Sequence, residues 1–314
     1  MTAERTTVRA GRANGTYWRT ALSLAVLATA VWLAHRHWPV LHTGAVRLAG
    51  ADRRWLLAGA VAASGTWLCA AVAQQGSVVP RLPRGPLVAA QFAASAANHL
   101  LPAGLGAGAV NVRFLMRRGL TAGRATTAVA VKATAGAVAR AALLVVLAAA
   151  CPGLLRLPPG WGGWAALAVV AVGAAVVAAL RHHARCRAAL TAVWADVRAV
   201  HAVPRRAAAL WGGSLAFAAL HACVLIAVTR AMALPLPATE VALLYLAASG
   251  AAALLPTPGG IGSLDAALGL ALVTAGTPAE EAASAVLGYR LLTLWLPLLP
   301  GLLVLGVLVR RRTL

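Results

Sequence analysis

Acidic residues are scarce in this chain. Its 314 residues include seven Asp and Glu against 28 Lys and Arg, a formal net charge of +21. Charged residues of either sign make up only 11% and hydrophobic ones 61%, and with a mean hydropathy of +0.80 this excludes a soluble globular domain. Lysine is nearly absent, Lys132 being the only one. The excess of Arg, Ala and Gly reads partly as the codon bias of a GC-rich genome, so a count of arginines overstates their functional weight. The four cysteines, Cys69, Cys151, Cys186 and Cys223, form no C-x-x-C pair and read as inert. His35, His37 and His42 lie close together, but no Asp or Glu nearby completes a ligand set, so interfacial histidines are preferred to a metal site and no cofactor is expected. The apolar stretches contain no nucleophile with a base and no paired carboxylates, which argues against an intramembrane enzyme.

Long apolar runs are what the chain has instead. They separate the basic residues, so no continuous basic face exists for nucleic acid, and the charge fits cytoplasmic loops against anionic lipid head groups. A bilayer core takes about 20 apolar residues per helix. Runs near 20–34, 54–73, 125–150, 161–180, 207–229 and 284–309 predict about six spanning helices. Residues 1–19 carry Arg5, Arg9, Arg12 and Arg19 and read as a cytoplasmic basic tail ahead of one membrane domain, 20–314. With so many later spans, an uncleaved first helix is preferred to a signal peptide.

Two further apolar regions are each cut by a Pro and Gly cluster. One is 86–118, broken from Pro102 through Gly104 and Gly106 to Gly108; the other is 240–275, broken at Pro256, Pro258, Gly259, Gly260 and Gly262. The pieces 240–255 and 264–275 hold 16 and 12 residues. They reach about 24 and 18 Å at about 1.5 Å per residue, short of a crossing. Both regions are therefore predicted to be re-entrant hairpins, which lipid tolerates only where protein or a watery cavity covers the exposed backbone.

Arg181, Arg185, Arg187, Arg198, Arg205 and Arg206 in 181–206, and Arg310, Arg311 and Arg312 at the end, place both segments in the cytoplasm. Glu280 and Glu281 suit the outer side, and tracing backwards puts the N-terminus inside as well. Residues 35–53 disagree, since they are expected outside yet Arg36, Arg47, Arg53 and Arg54 lie there or at their edge. A helix around 184–203 mixes Arg185, Arg187 and Arg198 with Leu190, Val193, Trp194 and Val197, as an interfacial amphipathic helix does. The order span, span, hairpin, span occurs twice, in 20–150 and 161–309, with opposite orientation: an all-α polytopic membrane protein built as an inverted repeat, the plan of many secondary transporters.

Within the apolar segments the ionisable residues are Lys132, Arg140, Asp265 and Arg290, each costing about 2.5–3.5 kcal/mol near the bilayer centre on insertion scales. Lys132, Gly136 and Arg140 advance four residues at a time and share one stripe, with room for a close neighbour at Gly136. The functional reading is a cavity where cations meet the phosphate of a lipid or another anion. The alternative is snorkelling, or a structural pairing of Asp265 with Arg290 or Lys132. Gly104, Gly106 and Gly108 are spaced G-x-G-x-G without a preceding strand or a following acid, so nucleotide binding is not expected. Gly259, Gly260 and Gly262 suit a tight turn ending at a helix N-terminus that attracts an anion, unless Asp265 caps it. Asn98 and His99 satisfy freed backbone groups or face the cavity.

The run Leu255-Pro256-Thr257-Pro258-Gly259-Gly260-Ile261-Gly262-Ser263-Leu264-Asp265-Ala266, followed by Gly288-Tyr289-Arg290-Leu291-Leu292-Thr293-Leu294-Trp295-Leu296-Pro297 and Gly301, resembles the lysylphosphatidylglycerol synthase transmembrane-region family, also called flippase-like. Asn98, Leu101, Pro102 and Gly106 resemble its N-x-x-L-P-x-x-x-G stretch, while Asp265 stands where the family usually has Glu, and Ala107 and Ala139 stand where it often has an acid. The chain lacks the aminoacyl-transferase domain of the family's larger members. The resemblance implies a non-enzymatic lipid translocase of the bacterial cytoplasmic membrane that moves an anionic phospholipid or a polyprenyl-phosphate-linked head group. Two other readings stand beside it: a small-anion secondary transporter, and a non-transporting partner of an envelope-synthesis enzyme. A second copy of the chain is a further partner to be expected.

Overall fold

A computed structural model describes residues 46–100, 105–150, 195, 197–254, 257 and 262–310, the side chains of 99, 100, 299 and 309 excepted. Among them there are helices and turns but no strand. In chain order these are α1 (Arg53–Gly76), α2 (Arg84–Leu100), α3 (Leu105–Arg117), α4 (Ala122–Ala150), α5 (Pro204–Ala231), α6 (Ala238–Ala253), α7 (Ser263–Thr274), α8 (Ala279–Arg290), a π-helical segment (Leu291–Trp295) and α9 (Leu296–Arg310). Four helices are long and apolar enough to cross a membrane, Arg53–Gly76, Ala122–Ala150, Pro204–Ala231 and the continuous Ala279–Leu308. The expected spans 20–34 and 161–180, the basic tail and twelve of the twenty residues of the amphipathic helix around 184–203 lie outside the described residues.

Local chemistry sets the helix ends. The Asp52 carboxylate accepts from Arg54 N–H at 2.8 Å to start α1, Pro204 sits at the first position of α5, and Pro237 and Pro278 precede α6 and α8, where a missing N–H is harmless. Both interrupted regions are pairs of short helices, α2 with α3 and α6 with α7, each pair packed together. The first break is narrower than the sequence suggested: Gly106 and Gly108 belong to α3. At Gly106 a Cβ would run into the Ala97 carbonyl and the backbone beyond it. Glycine is needed there because the hairpin arms meet, not because the chain turns. Pro102, Gly104, Pro256, Pro258, Gly259 and Gly260 lie outside the described residues.

The largest interface joins α1 to α5. Gly213 lies so near Ala73 and Cys69 that an added Cβ would come within 2.9 Å of their backbone atoms, and Gly76 meets the backbone of Leu210 in the same way. Small residues let two spans pack backbone to backbone where lipid leaves no hydrophobic driving force between helices. Around this axis the halves pack alike. The contact of α1 with α2 has a counterpart in α5 with α6, α3 with α4 in α7 with α8, and α1 with α4 in α5 with α8. Likewise α4 touches α5 and α6, as the last span touches α1 through its π segment and α2 through α9.

Acidic residues gather at one end of the same axis. The end where α1 stops and α2, α4 and α5 begin carries Arg81, Arg84, Arg118, Arg124, Arg205 and Arg206. The other end carries Asp52, Glu240, Glu280 and Glu281 together with Arg47, Arg53, Arg54 and Arg230. There Arg47 pairs with Glu281 at 3.2 Å and Glu280 at 3.8 Å.

Candidate functional site

Corresponding helix positions create two polar sites, one against each hairpin. Gln91 and Tyr245 are the eighth residues of α2 and α6, and Ala107 and Asp265 the third of α3 and α7. Lys132 and Arg290 follow at the same interval, 132 − 107 = 290 − 265 = 25 residues.

In the second site the Asp265 carboxylate has two jobs. Oδ2 accepts the Gly262 N–H at 2.8 Å, capping α7, and Oδ1 accepts from Arg290 Nε. Gly262 has φ +87°, a left-handed geometry that glycine adopts without steric cost. The anion-attracting N-terminus anticipated from the glycine turn is therefore already met by the protein's own carboxylate. Arg290 is 7% exposed, which excludes snorkelling. Within the break, Thr257 Oγ1 and Ser263 Oγ lie 2.7 Å apart and tie the linker to the start of α7.

Beside this pair lies a cluster absent from the residues singled out by charge. His221 Nδ1 lies 3.0 Å from the Tyr289 hydroxyl, and that hydroxyl donates to Tyr245 Oη at 3.3 Å. Tyr245 and Tyr289 are buried, and the His221 ring stacks parallel to Tyr245 with centroids 6.1 Å apart. Arg140, on α4, lies within electrostatic range of His221, Tyr245 and Tyr289, as does Arg290. Its Nε is buried with no hydrogen-bond partner among the described residues. A buried guanidinium donor without an acceptor is costly, and such a group calls for a function or an unseen partner.

The first site is built of amides. Lys132 Nζ donates to Gln91 Oε1 at 2.8 Å, Gln91 Nε2 donates to Asn111 Oδ1 at 2.9 Å, and Asn111 Nδ2 donates to the Ala107 carbonyl at 2.8 Å. Lys132 and Arg140, although on one stripe, thus serve different sites, and Asp265 pairs with Arg290 and not with Lys132. Among the described residues nothing lies within 4 Å of a Cβ added at Gly136; the close backbone approaches occur where α1 crosses α5, where α9 meets α2 at Gly301, and in the first hairpin at Gly106. Asn98 Oδ1, just before the first break, is buried and has no hydrogen-bond partner among the described residues. Sequence inspection passed over His221, Tyr245, Gln91 and Asn111; a lone histidine within an apolar span, Phe217 to Val228, was the available signal.

Comparison with known proteins adds the frame for this geometry. Residues 20–301 match the lysylphosphatidylglycerol synthase TM region family, and the match takes in both hairpins and both polar sites. The chain matches none of the curated proteins.

Proposed function

Because the chain belongs to the lysylphosphatidylglycerol synthase TM region family and is a multi-pass membrane protein, we propose that it is a lipid translocase of the bacterial cytoplasmic membrane. It passes an anionic phosphate-bearing head group, of a phospholipid or a polyprenyl phosphate, between leaflets without ATP. The observation that carries this reading is the Arg140 guanidinium, whose Nε is buried without an acceptor among the described residues, within electrostatic range of His221, Tyr245 and Tyr289. A phosphate oxygen supplies the acceptor Arg140 lacks, and a planar guanidinium suits phosphate better than a point charge. The two halves are taken as an inverted repeat with both termini in the cytoplasm. The arginine-rich end then faces the anionic leaflet, and the hairpins meet where a head group crosses. Asp265 keeps Arg290 neutralised in the resting state; Arg140 is the cation available to substrate.

The test is a scrambling assay in liposomes carrying a trace of head-group-labelled anionic phospholipid, with a membrane-impermeant reductant to bleach label in the outer leaflet. Wild type is expected to bring inner-leaflet label within reach of the reductant, and Arg140→Ala to abolish this while the protein remains folded. Unchanged scrambling in Arg140→Ala would overturn the assignment, and no scrambling by wild type would overturn the function.

The His221–Tyr289–Tyr245 chain favours a second reading, a proton-coupled transporter of small anions, since it is a run of exchangeable protons beside two cations. Uptake of inorganic phosphate without lipid movement in the same vesicles would select it.

A further inference from the structure

A groove at the arginine-rich end, remote from both hairpin turns, has a composition that neither the packing nor the polar sites use. It occupies about 770 Å³ between the end of α1, the start of α2 and the start of α5. Its walls are apolar, with Leu68 and Val72 both exposed on α1 and Leu87 and Val88 on α2. Four arginines also line it, Arg81, Arg84, Arg205 and Arg206, with no Asp or Glu beside them. None of the four makes an ion pair among the described residues. The groove is also built rather than incidental. The turn that presents Arg81 and Arg84 is pinned by Gln75, whose Oε1 accepts Leu82 N–H at 2.8 Å while Nε2 donates to the Pro80 carbonyl at 3.0 Å. Its inner edge is set by the contact of Gly76 with the backbone of α5 at Leu210.

Charge and shape together select the occupant. Four cations at the membrane surface attract anionic lipid, and an exposed apolar wall leading away from them suits an acyl chain more than water. We propose that this groove holds one anionic diacyl phospholipid, its phosphate among Arg81, Arg84, Arg205 and Arg206 and an acyl chain along Leu68 and Val72. This site stands apart from Arg140 and Arg290 and holds whether or not the chain moves lipid.

Native mass spectrometry of the whole protein, released from nanodiscs of equimolar phosphatidylglycerol and phosphatidylcholine, tests it. Wild type is expected to retain one phosphatidylglycerol in at least tenfold preference to phosphatidylcholine. The fourfold substitution R81A/R84A/R205A/R206A is expected to lose that preference, and the matching fourfold lysine variant to keep it in weakened form while reporting that the fold survives. Val72→Trp fills the groove and leaves every arginine in place; it is expected to expel the lipid. Bulk proportions of the two lipids on wild type overturn the proposal, as does preference surviving in the alanine variant. Preference surviving in Val72→Trp overturns the groove and assigns the effect to surface charge alone. If the alanine variant does not fold, Val72→Trp and the lysine variant decide the matter.

Discussion

The Lys132 ammonium donates to the Gln91 amide oxygen at 2.8 Å, in the position where the other half of the molecule sets the Arg290 guanidinium against the Asp265 carboxylate. The two sites share helix register but not charge. Arg290 is neutralised by its neighbour, whereas among the described residues Lys132 meets a neutral dipole and no carboxylate, Ala107 standing at the register position of Asp265.

Restoring the missing acid therefore has a predictable effect. Ala107→Asp places a carboxylate at the position from which Asp265 reaches Arg290. It is expected to stabilise the protein by about 1.5–3 kcal/mol, the range of a hydrogen bond to a charged group. The gain is read as a raised thermal unfolding midpoint in detergent and is expected to vanish in a Lys132→Met background. A gain that persists without Lys132 would show that the halves are not equivalent at this site.

The Asp265–Arg290 pair joins a buried guanidinium to a carboxylate whose side chain is 32% exposed. Removing one partner of a fully buried pair costs about 3–5 kcal/mol, and the partial exposure of Asp265 lowers this. Asp265→Ala, which also strips the cap from Gly262, is expected to destabilise by less than that range, while the double variant Asp265→Ala/Arg290→Met is expected to lose less than the sum of the single changes. A thermal double-mutant cycle reads this directly, and strict additivity would mean the two residues act independently.

Much of this architecture is legible in the sequence, for identifiable reasons. The hairpin 240–275 is visible because Pro and Gly interrupt an apolar run with arms too short to cross, and the arms 240–255 and 264–275 fall within two residues of α6 and α7. Arg140 and Arg290 are visible because charge in lipid is expensive. The cluster around Tyr289 is not, since tyrosine and histidine in an apolar run carry no formal charge and their hydrogen bonds join residues up to 68 positions apart. The π segment Leu291–Trp295 is equally hidden: nothing in its composition marks it, and it arises where one half of the last span packs on α5 and α7 and the other half on α2. Arg47 misleads the charge count because its partners, Glu280 and Glu281, are more than 200 residues away.

Two glycines on the same count of small residues are expected to respond in opposite directions. Gly106→Ala drives a methyl into the Ala97 carbonyl, and forcing the hairpin arms apart is expected to cost about 1–3 kcal/mol, in line with other overpacked sites. Gly136→Ala, in the middle of α4, meets no atom of the described residues and is expected to stabilise by about 0.5–1 kcal/mol through helix propensity. Thermal unfolding of the two variants beside wild type checks both, and a destabilised Gly136→Ala would reveal a neighbour at that face.

The tyrosine pair offers a change smaller than a charge deletion. Tyr289→Phe keeps the ring, which is 2% exposed, and removes only the hydroxyl shared by His221 and Tyr245. Two buried polar groups then lose a partner, and a buried group left unsatisfied costs about 1–3 kcal/mol. Tyr245→Phe leaves the contact between His221 and Tyr289 intact and is expected to cost less, about 1 kcal/mol. If the cluster only holds α5, α6 and α8 together, transport by each variant follows its stability. If its hydroxyls help present Arg140 to a phosphate, Tyr289→Phe lowers scrambling at temperatures where it is fully folded, and Tyr245→Phe has the smaller effect. Scrambling and unfolding measured on the same preparations separate these outcomes, because only a role in the site uncouples activity from the melting point.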